Sequence, residues 1–338
     1  MTDDLVTVII PCFQQGRFLK ECIASLQAQT YSNWEAIVIN DGSSDETEIV
    51  CKELIRNECR IRYIRQENQG VSSARNTGIS IAKGAFIQFL DPDDKLECNK
   101  IKHQVDFLRN NPHFDAVNGS TLYFSDTKPN IFRRVFQEGD LDYDWVAEAV
   151  SDKRPLLNKI LERNIFSICA PIFRRKLIDR TGLFDASLSR HEDWDYFIRA
   201  AMKDMKIAYQ PGQNSNVFVR THGASLSQDR VAMAESMLVV RLKTHPLLQE
   251  THIRRKNLIN MMGLLGAVSR ENIPIFKNEI YLSSNFWHEK LFVSALSLIS
   301  VDGPFFFVVK HLVPLLPSII LRFLGISSTA AKALKSMN

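Results

Sequence analysis

Apolar and polar positions follow two alternating periods along the first ninety residues. Residues 6–10 form a short β-branched run that ends at Pro11, and residues 17–30 then bring their apolar side chains to one helical face. The same alternation continues through EAIVIN, DGSSDE, RIRYIRQ, GVSSARNTGISIAKG and AFIQFL, with Ser43 or Ser44 as the expected cap of the second helix. Strands separated by helices are typical of parallel βαβ units, so the pattern predicts an open, mostly parallel α/β sheet.

Three residues close predicted strands of this sheet, namely Pro11, Asp41 and Asp91. In an open α/β sheet, ligands bind beyond the carboxyl ends of the strands. The pattern therefore predicts a ligand site at this edge, built from residues that are far apart in the chain.

Beyond the fourth strand the periodicity is weaker. Residues 115–125 indicate another strand, while residues 126–165 have no clear period and are expected to form a loop-rich insertion with short helices. A helix is predicted over residues 191–205, and a late strand is predicted within residues 215–227. Helical patterns then continue to the end of the chain.

The composition is that of a globular protein with a sizeable core. The chain has 338 residues, of which 45% are apolar and 24% charged, and these values exclude extensive disorder. Its six cysteines are scattered without a CxxC pair, and its first residues lack the basic and apolar regions of a secretory signal. We therefore expect a cytoplasmic protein with free thiols and without structural zinc.

The net charge of +4 is unevenly distributed. Residues 231–338 hold 12 Lys/Arg and 6 Asp/Glu, which leaves a charge of −2 on residues 1–230. The positive charge thus belongs to the C-terminal helices and does not indicate a nucleic-acid-binding face. We expect a main α/β domain over residues 1–230 and a helical extension over residues 231–338.

The segment FIQFLDPDD leads an apolar strand into Asp91, Asp93 and Asp94. A residue before proline favours extended geometry, so Asp91 should end the strand and share a side with Asp93. Carboxylates this close repel one another, and Mg²⁺ or Mn²⁺ would neutralise them. The alternative is that Asp93 or Asp94 caps a helix within residues 95–108, which accounts for one acid or two.

Two further residues are candidates for nucleotide binding. Asp41 ends a strand in VINDGSSDET, where an acid can bind a ribose or a base, although the same residue types also form simple turns. Arg75 lies one turn into a helix predicted to begin near Gly70, where the helix dipole disfavours a cation. A guanidinium that reaches toward a diphosphate would explain this position, and a solvated surface arginine is the alternative.

The stretches VTVIIPCFQQGRFLKECIASLQAQTYSNWEAIVINDGSSDET and ENQGVSSARNTGISIAKGAFIQFLDPDD resemble family 2 glycosyltransferases with the GT-A nucleotide-sugar-binding fold. The resemblance is close over about residues 5–125, where several motifs recur in order. It implies a nucleotide-diphospho-sugar donor bound by residues 1–125, an acceptor side formed by residues 126–230, and inversion at the anomeric carbon. It also implies that Pro11, Phe13 and Asp41 line the nucleoside pocket, with Arg75 near the donor phosphates or base.

The same resemblance assigns a divalent metal, Mn²⁺ or Mg²⁺, to the acidic motif. Asp91 and Asp93 would form the Asp-x-Asp element that meets the donor, with Asp93 as the direct metal ligand and Asp94 as a helper. In VRTHGASLS, His222 follows the last strand and is expected to approach the metal or the diphosphate, and a purely structural histidine is the alternative.

A thinner resemblance extends to SRHEDWDYFIRA, where family members place an acidic pair at the start of a helix that faces the acceptor. It implies that Asp193 is the general base, preceded by Glu192. An acceptor hydroxyl has a high pKa, so its proton must be removed as the new bond forms. The alternative is that both acids only supply negative charge to a helix first turn, and Asp195 is expected to orient neighbours or to face solvent.

Two sequence patterns typical of processive, membrane-embedded synthases are missing. The chain lacks the Gln-x-x-Arg-Trp motif of processive membrane-embedded synthases, and it lacks a run of about 20 uncharged apolar residues. We expect transfer of one sugar or a few per encounter to a saccharide or lipid-linked acceptor, in the assembly of cell-surface polysaccharide or glycolipid. Residues 290–338 are apolar with sparse basic residues, which suits either a buried layer or dimer contact, or a peripheral segment on the inner face of the plasma membrane.

The same residues bear on three other function classes. A nucleotidyltransferase would need a Gly-rich basic loop near the first strand, which PCFQQGRF matches poorly, and a dinucleotide dehydrogenase would need a GxGxxG motif that is missing there. A non-catalytic sugar-nucleotide-binding subunit remains open, because it would keep the same binding motifs.

Overall fold

The computed structural model describes residues 4–133, 155–222 and 230–248, together with individual residues between 251 and 261. The chain divides into two compact units, Met1–Gln228 and Asp229–Asn338. Every residue of the predicted site lies in the first unit.

The strands of the described residues belong to two sheets. They are β1 Val6–Cys12, β2 Trp34–Asp41, β3 Ile61–Gln66, β4 Phe86–Phe89, β5 Lys95–Leu96, β6 Ala116–Asn118, β7 Thr121–Ser125, β8 Lys128–Arg133, β9 Pro171–Arg174, β10 Ile207–Tyr209 and β11 Val217–Thr221. The larger sheet has the order β10-β6-β9-β4-β1-β2-β3, and the smaller has the order β5-β11-β7-β8.

The helices predicted between the first strands are confirmed. The helices of the described residues are α1 Gly16–Gln27, α2 Thr47–Asn57, α3 Val71–Ile81, α4 Lys100–Asn110, α5 Leu156–Glu162, α6 Arg175–Thr181, α7 Glu192–Met202 and α8 Arg230–Thr244. α1 buries Phe18, Leu19, Cys22, Ile23 and Leu26, which are the apolar positions of its predicted face.

The middle of the larger sheet is built from parallel strands, as the alternation of strands and helices predicts. β1 pairs in parallel with β2 and with β4, and β2 pairs in parallel with β3. All seven residues of β1 are buried, because a parallel sheet is covered on both faces. α3 approaches β1 so closely that a Cβ on Gly78 would lie 2.4 Å from Cγ2 of Ile9.

β9 makes this sheet mixed. It lies between β4 and β6 and runs antiparallel to both. The segment that leads into β9 places Cys169 beside β4, where Nε2 of Gln88 donates to the Cys169 carbonyl at 2.8 Å. A residue late in the first unit thereby reaches the end of the strand that carries the acidic motif.

One strand predicted from the sequence is two strands in the structure. Residues 115–125 form β6 and β7, which join different sheets. The division falls at Gly119, where a Cβ would lie 1.8 Å from the Ser215 carbonyl oxygen, so the contact excludes any side chain. β11 pairs in parallel with β7 and antiparallel with β5, which directly follows the acidic motif.

The predicted cap of α2 is wrong. The helix begins at Thr47, whose N–H donates to Oδ1 of Asp45 at 3.1 Å. Ser43 and Ser44 lie before this turn, and Oγ of Ser43 accepts a hydrogen bond from the main chain of Gln14 at 3.0 Å. The residue immediately before the helix is Glu46, whose side chain makes no capping hydrogen bond, and Asp45 accepts from the first helical N–H.

The capping role proposed for Asp93 or Asp94 is also wrong. Residues 95–96 form β5, and α4 begins only at Lys100, preceded by Asn99. Of the predicted loop-rich insertion, residues 128–133 form β8 and residues 156–162 form α5. Residues 134–154 lie outside the described residues.

In the second unit, α8 agrees with the predicted helical pattern. Nη1 of its residue Arg241 donates to Oδ1 of Asn257 at 2.9 Å, and burial lowers the pKa of Arg241 to about 10. Across the described stretches, no helix is both long and apolar enough to cross a membrane. The apolar segment of residues 290–338 lies outside the described residues.

Candidate active site

The carboxyl ends of β1, β2 and β4 lie side by side because β1 pairs with both of the other strands. Pro11 is buried near the end of β1, and Phe13, which follows this strand, is 45% exposed. Asp41 ends β2, and Asp91 lies two residues after β4. The structure therefore places all four predicted residues along one edge of the sheet.

Asp41 secures the chain that leads into α3. Its Oδ1 accepts hydrogen bonds from Nε2 of Gln66 at 2.8 Å and from the main-chain N–H of Gln69 at 2.9 Å. Its Oδ2 accepts from the main-chain N–H of Gly70 at 2.8 Å. Gly70 has φ of +88° and immediately precedes α3, so a buried carboxylate determines where the helix of Arg75 begins.

Arg75 joins the two acidic parts of the site. Its side chain is 2% exposed, with Nη2 at 2.9 Å from Oδ1 of Asp91 and Nη1 at 2.5 Å from Oε1 of Glu192. Burial disfavours its charge, but the two carboxylates outweigh this effect and raise the pKa of Arg75. The alternative of a solvated surface arginine is wrong, because this guanidinium is a buried bridge between α3, the acidic motif and α7.

Asp93 faces the end of β11. Its Oδ2 lies 3.0 Å from Nε2 of His222 and accepts a hydrogen bond from Nε2 of Gln15 at 3.3 Å. Burial and the charge of Asp91 raise the pKa of Asp93, while the hydrogen bond to His222 opposes this rise. The structure thus brings His222 to the acidic motif, next to the predicted metal ligand.

Asp94 is buried behind Asp93. It is 3% exposed and accepts a hydrogen bond at Oδ1 from the main-chain N–H of Arg220 at 3.0 Å. Burial, and then the charges of Asp93 and Asp91, raise its pKa well above the ordinary value. Ligand atoms of Asp91, Asp94 and Cys169 lie within 4.8 Å of one another. Sequence reasoning missed Cys169, because its segment carries no motif.

Asp193 lies in the first turn of α7, and both of its carboxylate oxygens are held in place. Oδ1 accepts from the main-chain N–H of Trp194 at 2.7 Å, and Oδ2 accepts from Nδ2 of Asn164 at 3.0 Å. Burial and the charge of Glu192 raise the pKa of Asp193 to about 7, against the lowering effect of Arg75. A carboxylate with this pKa is well suited to accept a proton near neutral pH.

The two acids beside Asp193 are engaged in ion pairs. Glu192, predicted as part of the catalytic pair, lies against Arg75 with 11% of its side chain exposed. Asp195 is fully buried, and its Oδ2 lies 2.7 Å from Nε of Arg199. Asp195 therefore orients a neighbouring side chain and does not face solvent.

Arg220 connects β11 to the acidic motif, and sequence reasoning did not select it. Its Nε donates to the Asp93 carbonyl at 3.0 Å, and its guanidinium also pairs with Glu21 at 2.5 Å and with Asp126. Alternate residues of an extended chain share a face. If His222 faces the acidic motif, Arg220 is therefore expected to face it as well.

The carboxylates after β4 are the ligand type that Mg²⁺ and Mn²⁺ prefer. Ligand atoms of Asp91 and Asp94 lie within 4.8 Å of each other, and Asp93 lies against His222, whose imidazole could add a nitrogen ligand. Burial and mutual repulsion raise the pKa of Asp93 and of Asp94, and a bound cation would relieve both effects. Burial also raises the pKa of the Cys169 thiol well above its ordinary value, so this side chain is a poor ligand for a hard cation.

The first unit is similar to known sugar-transferring proteins. A family model described as Glycosyl transferase family 2 matches residues 7–182. Glycosyltransferase GlyA of Streptococcus pneumoniae is 35% identical over 155 residues, which are 45% of this chain and 21% of that protein. The uncharacterized glycosyltransferase EpsJ of Bacillus subtilis is 32% identical over 197 residues, which are 58% of this chain and 56% of that protein. The chain thus spans about a fifth and just over half of the length of these relatives.

Two solved structures share the architecture. Staphylococcus aureus TarS 1–349 in complex with UDP-GlcNAc has a TM-score of 0.60 and 17% identity, covering 92% of this chain and 84% of its own. The mannosyltransferase PcManGT from Pyrobaculum calidifontis, in complex with GDP-Man and Mn²⁺, has a TM-score of 0.54 and 16% identity, covering 88% of this chain and 81% of its own. At this level of identity the likeness shows the fold, which is the GT-A α/β architecture with a mixed sheet.

Proposed function

Because this chain belongs to glycosyltransferase family 2, we propose that it moves a sugar from a nucleotide-diphospho-sugar to an acceptor hydroxyl with inversion at the anomeric carbon. The observation that carries this proposal is the buried Arg75 bridge, which joins Asp91 to Glu192 and so to the helix of Asp193. The bridge couples the carboxylates that suit a metal and diphosphate to a carboxylate that suits proton removal.

The donor is proposed to bind along the carboxyl ends of β1 and β2. Pro11 and the half-exposed Phe13 offer apolar contact to a base or ribose. Asp41 keeps the turn before α3 in position, and its Oδ2, which accepts one hydrogen bond from the protein, can accept a second. Arg75 is proposed to place positive charge near the donor phosphates, which would be attracted to it even across its own ion pairs.

A divalent cation, Mn²⁺ or Mg²⁺, is proposed to be held by Asp91, Asp93 and Asp94 with His222. When bound, it neutralises negative charge on the nucleoside diphosphate that leaves. The chain itself contributes the arrangement of these ligands. Arg220 fixes the Asp93 carbonyl and the Asp94 carboxylate, and His222 contacts the Asp93 side chain.

Asp193 is proposed as the general base. The acceptor oxygen forms a bond to the anomeric carbon while the bond from that carbon to the diphosphate oxygen breaks, and the electron pair leaves with the nucleoside diphosphate. The acceptor proton moves to the carboxylate of Asp193. A single displacement of this kind inverts the anomeric centre, and a positioned base typically contributes about 10²–10⁴-fold to the rate.

We infer that the acceptor is a saccharide or a lipid-linked saccharide, and that one sugar or a few are added per encounter, in cell-surface polysaccharide or glycolipid assembly. The number of sugars added per encounter is inferred from the missing Gln-x-x-Arg-Trp motif. Contact of residues 290–338 with a membrane, or with a second copy of the chain, stays a prediction. Co-sedimentation with anionic liposomes, with and without residues 290–338, tests the first of these, and equal recovery in the supernatant would contradict it.

The donor can be identified by thermal shift. UDP-, GDP- and dTDP-sugars are screened with and without Mn²⁺, and the true donor is expected to stabilise the protein only when the metal is present. EDTA should abolish the shift, and Asp93→Ala should reproduce the effect of EDTA. A donor that stabilises the wild type and Asp93→Ala equally would contradict the metal assignment.

The reaction itself is tested by product analysis with the selected donor and a saccharide acceptor panel. A glycosyltransferase releases a nucleoside diphosphate, whereas a nucleotidyltransferase consumes or forms inorganic diphosphate, and a binding subunit yields neither product. Asp193→Asn should keep the donor-induced thermal shift and lose about 10²–10⁴-fold in transfer. Transfer at the wild-type rate in Asp193→Asn would refute the assignment of the base.

A further inference from the structure

Asn164 touches the carboxylate of Asp193 from outside the recognised motifs. Its Nδ2 donates to Oδ2 of Asp193 at 3.0 Å, while Oδ1 of the same carboxylate accepts from the main-chain N–H of Trp194 at 2.7 Å. Each oxygen of Asp193 therefore accepts one hydrogen bond from the protein and keeps capacity for another. The two bonds together define the plane of the carboxylate.

The position of Asn164 is determined by packing between α5 and α7. Nε1 of Trp194 on α7 donates to the carbonyl of Ile160 on α5 at 2.7 Å, and the ring of Phe166 lies 5.1 Å from that of Phe197 on α7. Oδ1 of Asn164 accepts from the main-chain N–H of Phe166 at 3.4 Å, which determines which end of the amide faces Asp193. The donor is thus held beside α7 by contacts that residues on both sides of Asn164 make with that helix.

Other groups with a charge or a titratable proton face Asp193 from three elements. Glu192 precedes it on α7, and Arg75 on α3, which pairs with Glu192, lowers the pKa of Asp193 through its charge. On β7, burial and the charges of Asp94 and Asp193 raise the pKa of Tyr123 to about 12. Arg75 stays charged and Tyr123 stays neutral through neutral pH, so neither changes state in the range where Asp193 titrates.

We propose that Asn164 is a positioning residue for the transfer reaction, holding the Asp193 carboxylate by its amide N–H in the orientation in which the acceptor proton is taken up. The inference rests on the proposed role of Asp193 as the base. Asn164 would also favour ionisation of Asp193, because a hydrogen bond donated to a carboxylate stabilises its ionised form. The ionised form is the one that acts as a base.

Two variants and one control separate this role from a packing role. Asn164→Ala removes the donor. Asn164→Asp has nearly the same shape and keeps the acceptor for the Phe166 N–H, but it replaces the donor by a second acid. Asn158→Ala, earlier on α5, removes an amide that takes no part in the two hydrogen bonds of Asp193.

The first measurement is the pH profile of kcat/KM, with the donor selected by thermal shift. The acid limb should move upward by about one pH unit in Asn164→Ala, and by at least as much in Asn164→Asp, while the donor-induced thermal shift is retained. Asn158→Ala should keep the wild-type limb. A uniform loss of kcat at every pH with an unmoved limb would show a structural role alone and would overturn the proposal.

The second measurement needs no turnover. Carboxyl ¹³C NMR of Asp-labelled protein, with the Asp193 signal assigned from Asp193→Asn, gives the titration of Asp193 directly. An upward shift of about one unit in Asn164→Asp is expected, and an unchanged titration would overturn the proposal even if Asn164→Ala does not fold. A wild type that shows this titration but no transfer at any pH would instead count against the proposed function.

Discussion

Lys100 is buried between two glutamines, and within the described residues it forms no ion pair; this placement predicts how the stability of the first unit varies with pH. Lys100 is 0% exposed, and its Nζ lies 2.6 Å from Oε1 of Gln88 and 2.8 Å from Oε1 of Gln104. A neutral amine has two N–H donors, which these two amide oxygens can accept. Burial lowers the pKa of Lys100 to about 7.

The size of the effect follows from the difference in proton binding. Above pH 7 the native side chain is mostly neutral, whereas in the unfolded chain it stays protonated up to about pH 10.4. The unfolded state therefore binds one more proton in this range, so this group makes the free energy of unfolding rise with pH by about 1.4 kcal/mol per unit. Between pH 8 and pH 9.5 the rise amounts to about 2 kcal/mol, and below pH 7 the contribution of this group becomes flat.

The perturbation is Lys100→Met, with Lys102→Met as the control. Lys102 lies on the same helix with 55% of its side chain exposed, where it pairs with Asp106. Urea unfolding is followed by tryptophan fluorescence at several pH values, and the difference from the wild type is compared across pH, because titrations shared by both proteins cancel. The free energy of unfolding of the wild type minus that of Lys100→Met should increase by about 2 kcal/mol from pH 8 to pH 9.5, whichever protein is the more stable at pH 8, while Lys102→Met should show no trend.

A difference that stays constant over this range would refute the reasoning. It would mean that the native lysine keeps its proton, so that the amide oxygens and the protein interior support a charged ammonium. A wild-type-minus-variant difference that decreases with rising pH would contradict the sign of the argument.

Two further predictions concern the residues that hold the site in shape. Asp41→Asn replaces an acceptor by a donor, so a main-chain N–H at the start of α3, such as that of Gly70, loses its partner; urea unfolding should show a loss of about 1–3 kcal/mol, and unchanged stability would contradict the capping role. Arg220→Lys keeps the charge and loses the planar fork beside Asp93. In a titration followed by thermal shift, the Mn²⁺ concentration at half-maximal effect should rise about 10–100-fold, and a wild-type midpoint would contradict the positioning role.

The strands and helices of the first ninety residues could be predicted because each carries its own signal. β1, β2 and α1 are long, and their apolar residues repeat with the period of the element that they form. β9 has four residues and the division between β6 and β7 has a tertiary cause, since Gly119 meets the Ser215 carbonyl. Local periodicity carries no information about such contacts.

Some residues of the candidate site could likewise be predicted from the sequence, and others could not. Asp91, Asp93 and Asp193 follow local motifs and could be selected from the sequence, and the structure brings them into one region. The partners that hold these residues, Arg220 and Asn164, come from other segments and have no motif of their own. Their roles depend on pairing and packing between distant elements, and these are properties of the fold.

The pairing of β11 beside the acidic motif has a consequence for the way this protein is made. Asp94 accepts a hydrogen bond from the main-chain N–H of Arg220, which lies 126 positions later in the chain. During synthesis, the acidic loop emerges well before the strand that completes it, so its carboxylates stay hydrated until that strand has been made. The site proposed for the donor would therefore be complete only after Val217–Thr221 has paired beside the acidic motif.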